Sequence, residues 1–381
     1  MIRKVALFAP MLAGLMLGGA AARPAAEAPV VTASRCPGLD LSAARPAIDR
    51  LFTDHPETRA VMLAVDGCAA LKIYAPGYSD ANRFISWSMA KTITAMLVGE
   101  LVADGRLRLD DPVPLAEWRR PGDPHGGITL RHMLQMTSGV RHAEVGDPVE
   151  NSDTNQAEFV TGTAAMAAAA LAEPMEAAPG TRFQYNTLTS ILLAEIVTRT
   201  LTPSRDPRVR AAAYRRFAQE RVFGPAGVTS AVPEFDGSGT QVGGSLIHMT
   251  LPDWARMGAL LIDGRGADGA QLIAPDWLAL MKAPSPRNAE YGLQTWINRR
   301  SSARAASALF PGLGPDDAVA MNGHLGQLVI AAQGPVDGQP RRMVLVRLGN
   351  TPDDRNAALM RTLGDITEAV VPRGGTTPRS R

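Results

Sequence analysis

The sequence predicts an α+β fold in which strands near the two ends of the chain enclose a long helical middle. Two runs rich in apolar residues, 59–65 and 69–74, have strand character, and Asp66-Gly67 between them is a strong signal for a hairpin turn. Two more runs with strand character, 328–333 and 342–348, come late in the chain. Much of the chain between them has the three- and four-residue apolar spacing that is typical of helices.

The other elements follow from local signals of the same kind. Pro46 suits the first turn of the short helix predicted near the start of the domain. Thr129 is placed to cap a later helix, which we expect to end at Gly139. Residues 140–160 are polar and acidic and are predicted to form a long loop. The remaining predictions are helices at 46–52, 92–104, 163–172, 253–262 and 354–369, a helix carrying Leu192, Leu193 and Ile196, and a strand at 291–298. Trp296 on this strand could face either substrate or the core, and the core is favoured.

The charge balance argues against a nucleic-acid-binding protein. The chain holds 39 Lys plus Arg and 37 Asp plus Glu, and 45% of its residues are hydrophobic. Removal of a leader containing Arg3 and Lys4 would leave 37 charges of each sign. A neutral mature chain has no reason to bind nucleic acid or an anionic membrane surface. Its length allows one large domain or two interleaved lobes.

The first 22 residues have the pattern of a secretory signal peptide. Arg3 and Lys4 form the charged start, residues 5–20 are apolar, and Ala20-Ala21-Ala22 offers a cleavage site. We therefore expect a secreted or periplasmic protein without stable membrane insertion after cleavage. The alternative is that the segment stays uncleaved and anchors the protein. Residues 23–45, rich in Ala, Pro and Arg, are predicted to form a loosely ordered extension.

Only two cysteines occur, Cys36 in this extension and Cys68 at the predicted hairpin turn. Two cysteines in an exported chain suggest a disulfide that ties the extension to the first hairpin. The alternative is two free thiols. Two cysteines without suitably spaced histidines make a poor metal site, so no metal is expected.

The strongest catalytic signal is Ser88-Met89-Ala90-Lys91, at the start of a predicted helix. Residues three apart on a helix share a face, so the Lys91 amine would lie beside the Ser88 hydroxyl. A serine needs a neighbouring base to become a good nucleophile, and a lysine can be that base if its pKa is lowered. Lysine is rare here, at 4, 72, 91 and 282 only, because the chain uses arginine for most of its positive charge. Since lysine can release a proton and arginine cannot, Lys91 indicates proton chemistry more than surface charge.

This stretch resembles the first active-site motif of the serine β-lactamase and penicillin-binding-protein superfamily. Its context from Arg83 to Thr92 is similar to the class C-like branch, which includes β-lactamase-fold esterases, D-aminopeptidases and nylon-oligomer (6-aminohexanoate) hydrolases. The resemblance requires two further motifs in a fixed order.

Tyr185, at a predicted loop–helix junction, resembles the second motif, Tyr-x-Asn. The resemblance implies that Tyr185 acts as the general base or shares that role with Lys91. This chain departs from the pattern, because Thr187 stands at the family's asparagine position and Asn186 comes one residue early. Both are therefore candidates for binding the substrate amide or carbonyl.

His324-Leu325-Gly326 occupies the place of the third motif, Lys-Thr-Gly. The resemblance implies that Gly326 lets substrate approach the strand edge. It also implies that the backbone N–H of Gln327 joins that of Ser88 to form the oxyanion hole. His324 is the candidate for the substrate contact made elsewhere by the lysine.

The resemblance covers residues 46–371 and implies a β-lactamase/transpeptidase-like fold. That fold is an antiparallel sheet flanked by helices and built from both chain ends, with an inserted all-helical lobe at about 105–240. Residues 372–381 would be a disordered tail. The implied reaction is hydrolysis of a small-molecule ester or amide through an acyl-enzyme on Ser88, with no cofactor and no evident protein partner.

Four other functions fit these residues less well. A β-lactamase or D-Ala-D-Ala peptidase would need a carboxylate-binding group, and Leu325 donates no hydrogen bond while His324 lacks a lysine's permanent charge. A catalytically idle binding protein of the same fold would have no need to retain Ser88, Lys91 and Tyr185 together. No Gly-x-Ser-x-Gly or His-Glu-x-x-His motif is present, which disfavours an ordinary α/β-hydrolase and a zinc protease.

Overall fold

The structure, a computed structural model, describes residues 28–374. The predicted signal peptide 1–22, the start of the predicted extension and residues 375–381 of the predicted tail lie outside the described residues. No helix in the described part is long and apolar enough to cross a membrane.

The described chain has strands near both of its ends and mostly helices between them. The strands are β1 Val30–Ala33, β2 Thr58–Val65, β3 Cys68–Tyr74, β4 Phe84–Ile85, β5 Val232–Pro233, β6 Ile247–Met249, β7 Trp296–Ile297, β8 Val319–Gly323, β9 Gln327–Val336 and β10 Gln339–Gly349. The α-helices are α1 Arg45–Thr53, α2 Ala90–Ala103, α3 Leu130–Leu134, α4 Asp153–Asn155, α5 Met166–Ala172, α6 Thr187–Leu201, α7 Pro207–Ala218, α8 Leu251–Asp263, α9 Pro275–Lys282 and α10 Asn356–Val370.

Seven strands form one antiparallel sheet in the order β1-β3-β2-β10-β9-β8-β7. The sheet is therefore built from both chain ends, as the resemblance implies. The predicted hairpin between β2 and β3 is present, and Asp66 and Gly67 have φ values of 50° and 79°. Two consecutive positive φ values match the turn that follows the right-handed twist of paired strands.

The two faces of this sheet bury different parts of the chain. Helices α1 and α10 pack against each other and, with apolar side chains of the strands, form one core. Helix α8 packs on β9, β10 and β2 and belongs to a second, larger core that continues into the helical lobe. The sheet thus separates the two chain termini from the inserted helices. This arrangement confirms the predicted α+β class.

Helix α2 is the centre of the helical lobe. Its residues 90–101 are all buried, so the helix has no solvent face along most of its length. A small second sheet, in the order β4-β6-β5, lies where the chain enters the lobe. Because β4 pairs with β6, the turn that leads into α2 is tied to a strand more than 150 residues later in the chain.

The extension predicted to be loose is partly a strand, which corrects that prediction. β1 pairs with β3 along four residues and forms an edge of the large sheet. A disulfide joins Cys36 to Cys68, with Cα atoms 5.9 Å apart, and holds the extension beside the hairpin. The open edge of β3 accounts for the difference, because unpaired backbone groups of a strand accept a further strand readily.

Three other predicted elements differ in extent. Helix α3 ends at Leu134 instead of Gly139, because Met136 adopts a left-handed φ of 57°. The predicted loop 140–160 contains short helical turns, including a π-helical segment Gln156–Val160. The predicted strand 291–298 is reduced to β7, since Gln294 also has a positive φ, of 53°, which no strand accommodates.

Candidate active site

Ser88 lies in a tight turn that the structure fixes from several sides. A 3₁₀ turn, Trp87–Met89, leads directly into α2. Trp87 has a φ of 43°, an unusual value for a bulky residue and a mark of local strain. The preceding Ser86 is fully buried, and its backbone N–H donates to the Ile247 carbonyl at 2.8 Å while its hydroxyl donates to the Ser245 carbonyl at 2.6 Å. The serine is thus presented by a turn that β6 holds in place.

Lys91 is buried and reaches Ser88 as the three-residue spacing predicts. Its Nζ lies 3.1 Å from Ser88 Oγ and donates at 2.8 Å to both Thr187 Oγ1 and the Gly244 carbonyl. Only 1% of the residue is exposed. Burial lowers the pKa of the Lys91 ammonium, although the charges of Glu144 and Glu158 act in the opposite direction. A lysine in this setting can exist as the neutral amine that a general base requires.

Glu144 completes a hydrogen-bonded chain from Lys91 to the cleft. Thr187 donates through its hydroxyl to Glu144 Oε1 at 2.6 Å and through its backbone N–H to Oε2 at 2.9 Å. His142 Nε2 lies 2.6 Å from the same Oε2. Burial raises the pKa of the Glu144 carboxyl, but the hydrogen bond from His142 and the charge of Lys91 outweigh this and lower it to about 2. Glu144 is therefore a fixed negative charge one hydroxyl away from Lys91.

Glu158 is a second carboxylate near Lys91, but its setting is different. Its Oε1 accepts a hydrogen bond from Ser245 Oγ at 2.7 Å, while Oε2 is buried without a hydrogen-bond partner. Burial raises the pKa of the Glu158 carboxyl to about 7, even though the Lys91 charge acts to lower it. The two carboxylates around Lys91 thus differ in protonation near neutral pH, since Glu144 is ionised and Glu158 is at the midpoint of its titration.

Tyr185 lies beside both Ser88 and Lys91. Its hydroxyl is within hydrogen-bond reach of the Ser88 side chain, and the Lys91 Nζ lies 4.9 Å from its ring centroid. The ring stacks on Trp296 with centroids 5.5 Å apart. Burial and the Glu144 charge raise the pKa of the Tyr185 phenol well above its usual value. The Tyr185 phenol is therefore protonated at neutral pH and can donate a hydrogen bond.

Gly323 brings the late strand against the nucleophile turn. A Cβ atom on Gly323 would lie 2.3 Å from the Ser86 carbonyl oxygen and 3.2 Å from Trp87 Cβ, so only glycine fits where β8 ends. At the expected glycine, Gly326, a Cβ would lie 2.6 Å from an Arg347 guanidinium nitrogen. Gly323 thus makes the close backbone contact with the nucleophile turn, while Gly326, which also lines the cleft, keeps its predicted role in substrate approach as a prediction.

Gln327, whose backbone N–H is the predicted oxyanion-hole donor, follows the turn 324–326. Gln327 is 2% exposed, does not line the cleft, and uses its side-chain amide to bond the backbone of Gly349. His324 follows the close-approach glycine instead and lines the cleft. Its side chain is 49% exposed and its ring meets the Trp87 ring at 5.5 Å, so His324 remains a candidate for contact with substrate.

Two predicted substrate-binding residues point away from the cleft. Asn186 is 1% exposed, because its Oδ1 caps α6 by accepting from the Thr189 N–H at 2.9 Å and its amide donates to Val140. Thr187 is equally buried and bonded to Lys91 and Glu144. Neither side chain lines the cleft, because the cap residue and the first residue of a buried helix use their polar atoms for capping and for bonds to neighbours.

Ser88, Glu144 and Tyr185 open into a cleft of about 800 Å³. Its wall beyond Tyr185 consists of Trp296, the segment 303–310 and the first turns of α10. Trp296, predicted to be a core residue, is 6% exposed and still lines this cleft. Among residues 28–374, no group of three or more His, Cys, Asp or Glu side chains is arranged to hold a metal ion.

The sequence profile of the Beta-lactamase family matches residues 48–353, which is most of the chain. The chain belongs to the Beta-lactamase family. This agrees with the resemblance carried by the Ser-x-x-Lys motif, and the match ends close to the start of α10. Membership explains why a sheet built from both chain ends and an inserted helical lobe meet at Ser88.

Solved structures of Beta-lactamase-like proteins share this fold. A protein described as a 6-aminohexanoate-dimer hydrolase from Bacillus anthracis superimposes with a TM-score of 0.64 at 20% identity, covering 84% of this chain and 81% of that one. A penicillin-binding-protein homologue from Caulobacter crescentus gives 0.61 at 19% identity, covering 88% and 100%. A D-stereospecific amidohydrolase from a Streptomyces species gives 0.54 at 19% identity, covering 87% and 98%. Family membership and these neighbours together support a hydrolase.

Sequence reasoning missed Glu144, Glu158 and Gly323. The two glutamates lie in a polar segment with no periodic pattern, and only the fold brings them to Lys91. Gly323 directly precedes His324-Leu325-Gly326, the residues that match the third motif. The signal that could have found it is the pair Asn322-Gly323 at the end of an apolar strand, where a glycine indicates a close backbone approach.

Proposed function

We propose that the protein is a serine hydrolase that cleaves an ester or amide through an acyl-enzyme on Ser88. The observation that carries the proposal is the buried Lys91 amine, 3.1 Å from the Ser88 hydroxyl and surrounded by groups that position it. A nucleophile, a base beside it and a further group that orients the base are the parts of covalent acyl transfer.

In the first half of the reaction, neutral Lys91 takes the proton of Ser88 as Oγ bonds to the substrate carbonyl carbon. The tetrahedral oxyanion is stabilised by backbone N–H groups. We assign these to Ser88 and His324, because Gly323 brings the residue that follows it next to the nucleophile turn. The bond to the leaving alcohol or amine then breaks, and the leaving group receives the proton that Lys91 holds, with the Tyr185 hydroxyl as donor between them.

In the second half, water attacks the acyl carbon and gives one proton to Lys91. The Ser88–acyl bond breaks, the acid leaves, and Ser88 Oγ regains a proton. Thr187 and Glu144 position Lys91 throughout, because a fixed negative charge one hydroxyl away stabilises each ammonium that forms. No cofactor is needed in either half.

The proposal favours esters and linear amides over β-lactams and D-Ala-D-Ala peptides. The residues that precede the close-approach glycine are Met321 and Asn322, and Met321 is fully buried. A substrate carboxylate next to the reacting carbonyl would meet no lysine there. A charge-assisted hydrogen bond contributes about 1.5–3 kcal/mol, so its loss weakens such substrates by roughly tenfold or more.

A hydrolysis screen of the purified protein lacking residues 1–22 tests the proposal. It should cover short p-nitrophenyl esters, linear amides, D-Ala-D-Ala peptides and a chromogenic cephalosporin. We expect ester or amide cleavage that Ser88→Ala abolishes and that Ser79→Ala, at an exposed serine of the preceding loop, leaves unchanged. Cephalosporin hydrolysis as fast as ester hydrolysis would contradict the substrate preference.

The rival function is a catalytically idle binding protein of the same fold. A fluorophosphonate probe separates the two, because it labels only an activated serine. Failure of the wild-type protein to react with this probe, while it remains folded, would favour the idle protein. We also propose that the protein is exported, which the predicted signal peptide and the Cys36–Cys68 disulfide support.

A further inference from the structure

The cleft has an apolar far end that carries two arginines. Beyond Tyr185 it is lined by Trp296, Leu309, Phe310 and Met360, with Arg304 and Arg361 among them. Two acidic residues also line the cleft: Glu144 accepts from Thr187 and His142, and Asp353, whose side chain is 77% exposed, lies 3.5 Å from His324. The positive charge at the apolar end comes from the two arginines.

Arg304 is held in place while its hydrogen-bond donors stay available. Its guanidinium carbon lies 5.4 Å from the centre of the Trp296 ring, and its Nε is 3.8 Å from Glu290 Oε1 without a hydrogen bond. Glu290 is fully buried and bonds the Ala308 N–H at 2.7 Å, so it fixes the segment that carries the arginine. A guanidinium has five donors, and in the described part of the chain those of Arg304 form no hydrogen bond.

The rings between Arg304 and Ser88 form a continuous wall. Arg304 packs on Trp296, Trp296 stacks on Tyr185 at 5.5 Å with ring planes 25° apart, and Tyr185 reaches Ser88. A substrate whose carbonyl lies at Ser88 can therefore extend an apolar segment along Trp296 toward the Arg304 guanidinium. Planar guanidinium groups bind carboxylates through paired hydrogen bonds.

We propose that this cleft binds esters or amides that carry a carboxylate at the end of an apolar segment, and that Arg304 binds this carboxylate. The inference rests on the proposed hydrolase function and names its substrate class. It differs from the carboxylate recognition expected of the third motif, because the anion lies one indole ring away from the reacting carbonyl instead of beside it.

Two pairs of substrates of matched shape test the inference. The mono-p-nitrophenyl ester of glutaric acid is compared with p-nitrophenyl pentanoate, which places the anion on the acyl side. 4-Acetoxybenzoate is compared with its methyl ester, which places the anion on the leaving group. In at least one pair we expect kcat/KM to be about tenfold higher for the anion, the low end for a charge-assisted hydrogen bond because Arg304 remains 43% exposed.

Arg304→Gln should remove this preference by lowering kcat/KM for the anionic member of the pair toward that of the neutral member. Arg300→Gln, at an exposed arginine of the same segment that does not line the cleft, should change neither. Arg304→Lys should keep part of the preference, because it keeps the charge but loses the paired geometry. Loss of the preference in Arg361→Gln instead of Arg304→Gln would overturn the assignment to Arg304.

The possible failures are distinguishable. Hydrolysis of both members of each pair without a charge preference contradicts the inference and leaves the hydrolase proposal intact. If neither member is cleaved, the hydrolase proposal fails, and binding of mono-p-nitrophenyl glutarate and of p-nitrophenyl pentanoate to Ser88→Ala, measured by calorimetry, still decides the inference. Equal affinity for the charged and neutral ligands, or equal affinities in Ser88→Ala with and without Arg304→Gln, would refute it.

Discussion

Two buried cations of this protein, Lys91 and Arg347, have similar surroundings and different consequences. Lys91 is 1% exposed and Arg347 is fully buried, and neither forms a hydrogen bond to a carboxylate. Lys91 bonds two hydroxyls and a carbonyl. Arg347 bonds the Thr58 and Thr351 hydroxyls and the Gly326 carbonyl. Burial lowers the pKa of both, that of Arg347 to about 9.

The difference lies in which neighbour can exchange a proton with the cation. One hydroxyl beside Lys91 belongs to Ser88, which lines the cleft, so loss of the lysine proton has a chemical use. The groups around Arg347 are packed behind the turn 324–326, and with a pKa of about 9 the arginine keeps its charge at neutral pH. Burial alone therefore does not make a base. It does so here because the buried group is a lysine beside a serine.

The largest expected effect comes from replacing Lys91 with arginine, which makes the two buried cations alike. Lys91→Arg should lower kcat/KM by about two to four orders of magnitude, because arginine keeps the charge but cannot accept the Ser88 proton. Lys91→Ala should be similarly inactive. Steady-state kinetics on the best ester of the screen measure this, with circular dichroism to confirm folding. Near-normal activity of Lys91→Arg would reduce Lys91 to an electrostatic role.

Removal of the Tyr185 hydroxyl tests whether this residue donates the proton to the leaving group while Lys91 acts as the base. Tyr185→Phe should lower kcat by roughly two orders of magnitude, since a protonated phenol no longer passes the proton to the leaving group. Its ring still stacks on Trp296, so KM should change little. An ester with a good leaving group should be less affected than an amide. Equal losses for both substrates would argue against proton donation by Tyr185.

Arg347 should affect stability more than catalysis. Arg347→Met removes donors to two hydroxyls and a carbonyl in the interior, which should lower the free energy of unfolding by about 2–4 kcal/mol. Activity of the folded fraction should remain within about tenfold of wild type. Urea unfolding measures the loss, and Arg45→Met, at an exposed helix arginine, is the matched control. A large loss of kcat with unchanged stability would assign Arg347 to the reaction.

The effect expected for Glu158 depends on pH and vanishes at low pH. The folded-state pKa of about 7 lies above the ordinary value of 4.5, so the folded state loses stability as the pH rises from 4.5 to 7. Glu158→Gln removes this loss. The variant should differ little from wild type near pH 4 and be more stable by up to about 3 kcal/mol at pH 8. A difference in Tm that does not vary with pH would contradict it.

The parts of the site that the sequence predicts correctly depend on short-range geometry. Ser88 and Lys91 meet because residues three apart share a helix face, and the β2–β3 hairpin forms because Asp66-Gly67 accepts positive φ values. The order of strands and helices was predictable for the same reason, since each element carries its own periodicity or turn signal.

The parts that failed depend on long-range packing. Glu144 reaches Lys91 only when the segment after α3 folds back onto α6. Gly323 and Gly326 both follow a strand-like run, and sequence alone cannot tell which one meets Ser86. Thr187 stands at the family's asparagine position, yet at the start of a buried helix its hydroxyl bonds Lys91 and Glu144. A role in substrate binding can be assigned to a polar residue near a motif only when the protein groups that compete for its hydrogen bonds are known.

The central claim is that Ser88 is the nucleophile and buried Lys91 its base. The most direct test is the pH dependence of labelling by a fluorophosphonate probe, with the modified peptide identified by mass spectrometry. We predict an adduct on the peptide containing Ser88, and a labelling rate that rises with pH and levels off well below the ordinary lysine pKa of about 10.4, because burial lowers the pKa of Lys91. Lys91→Arg should label at least about 100-fold more slowly. An adduct on another serine, or the same rate and pH profile in Lys91→Arg, would contradict the claim.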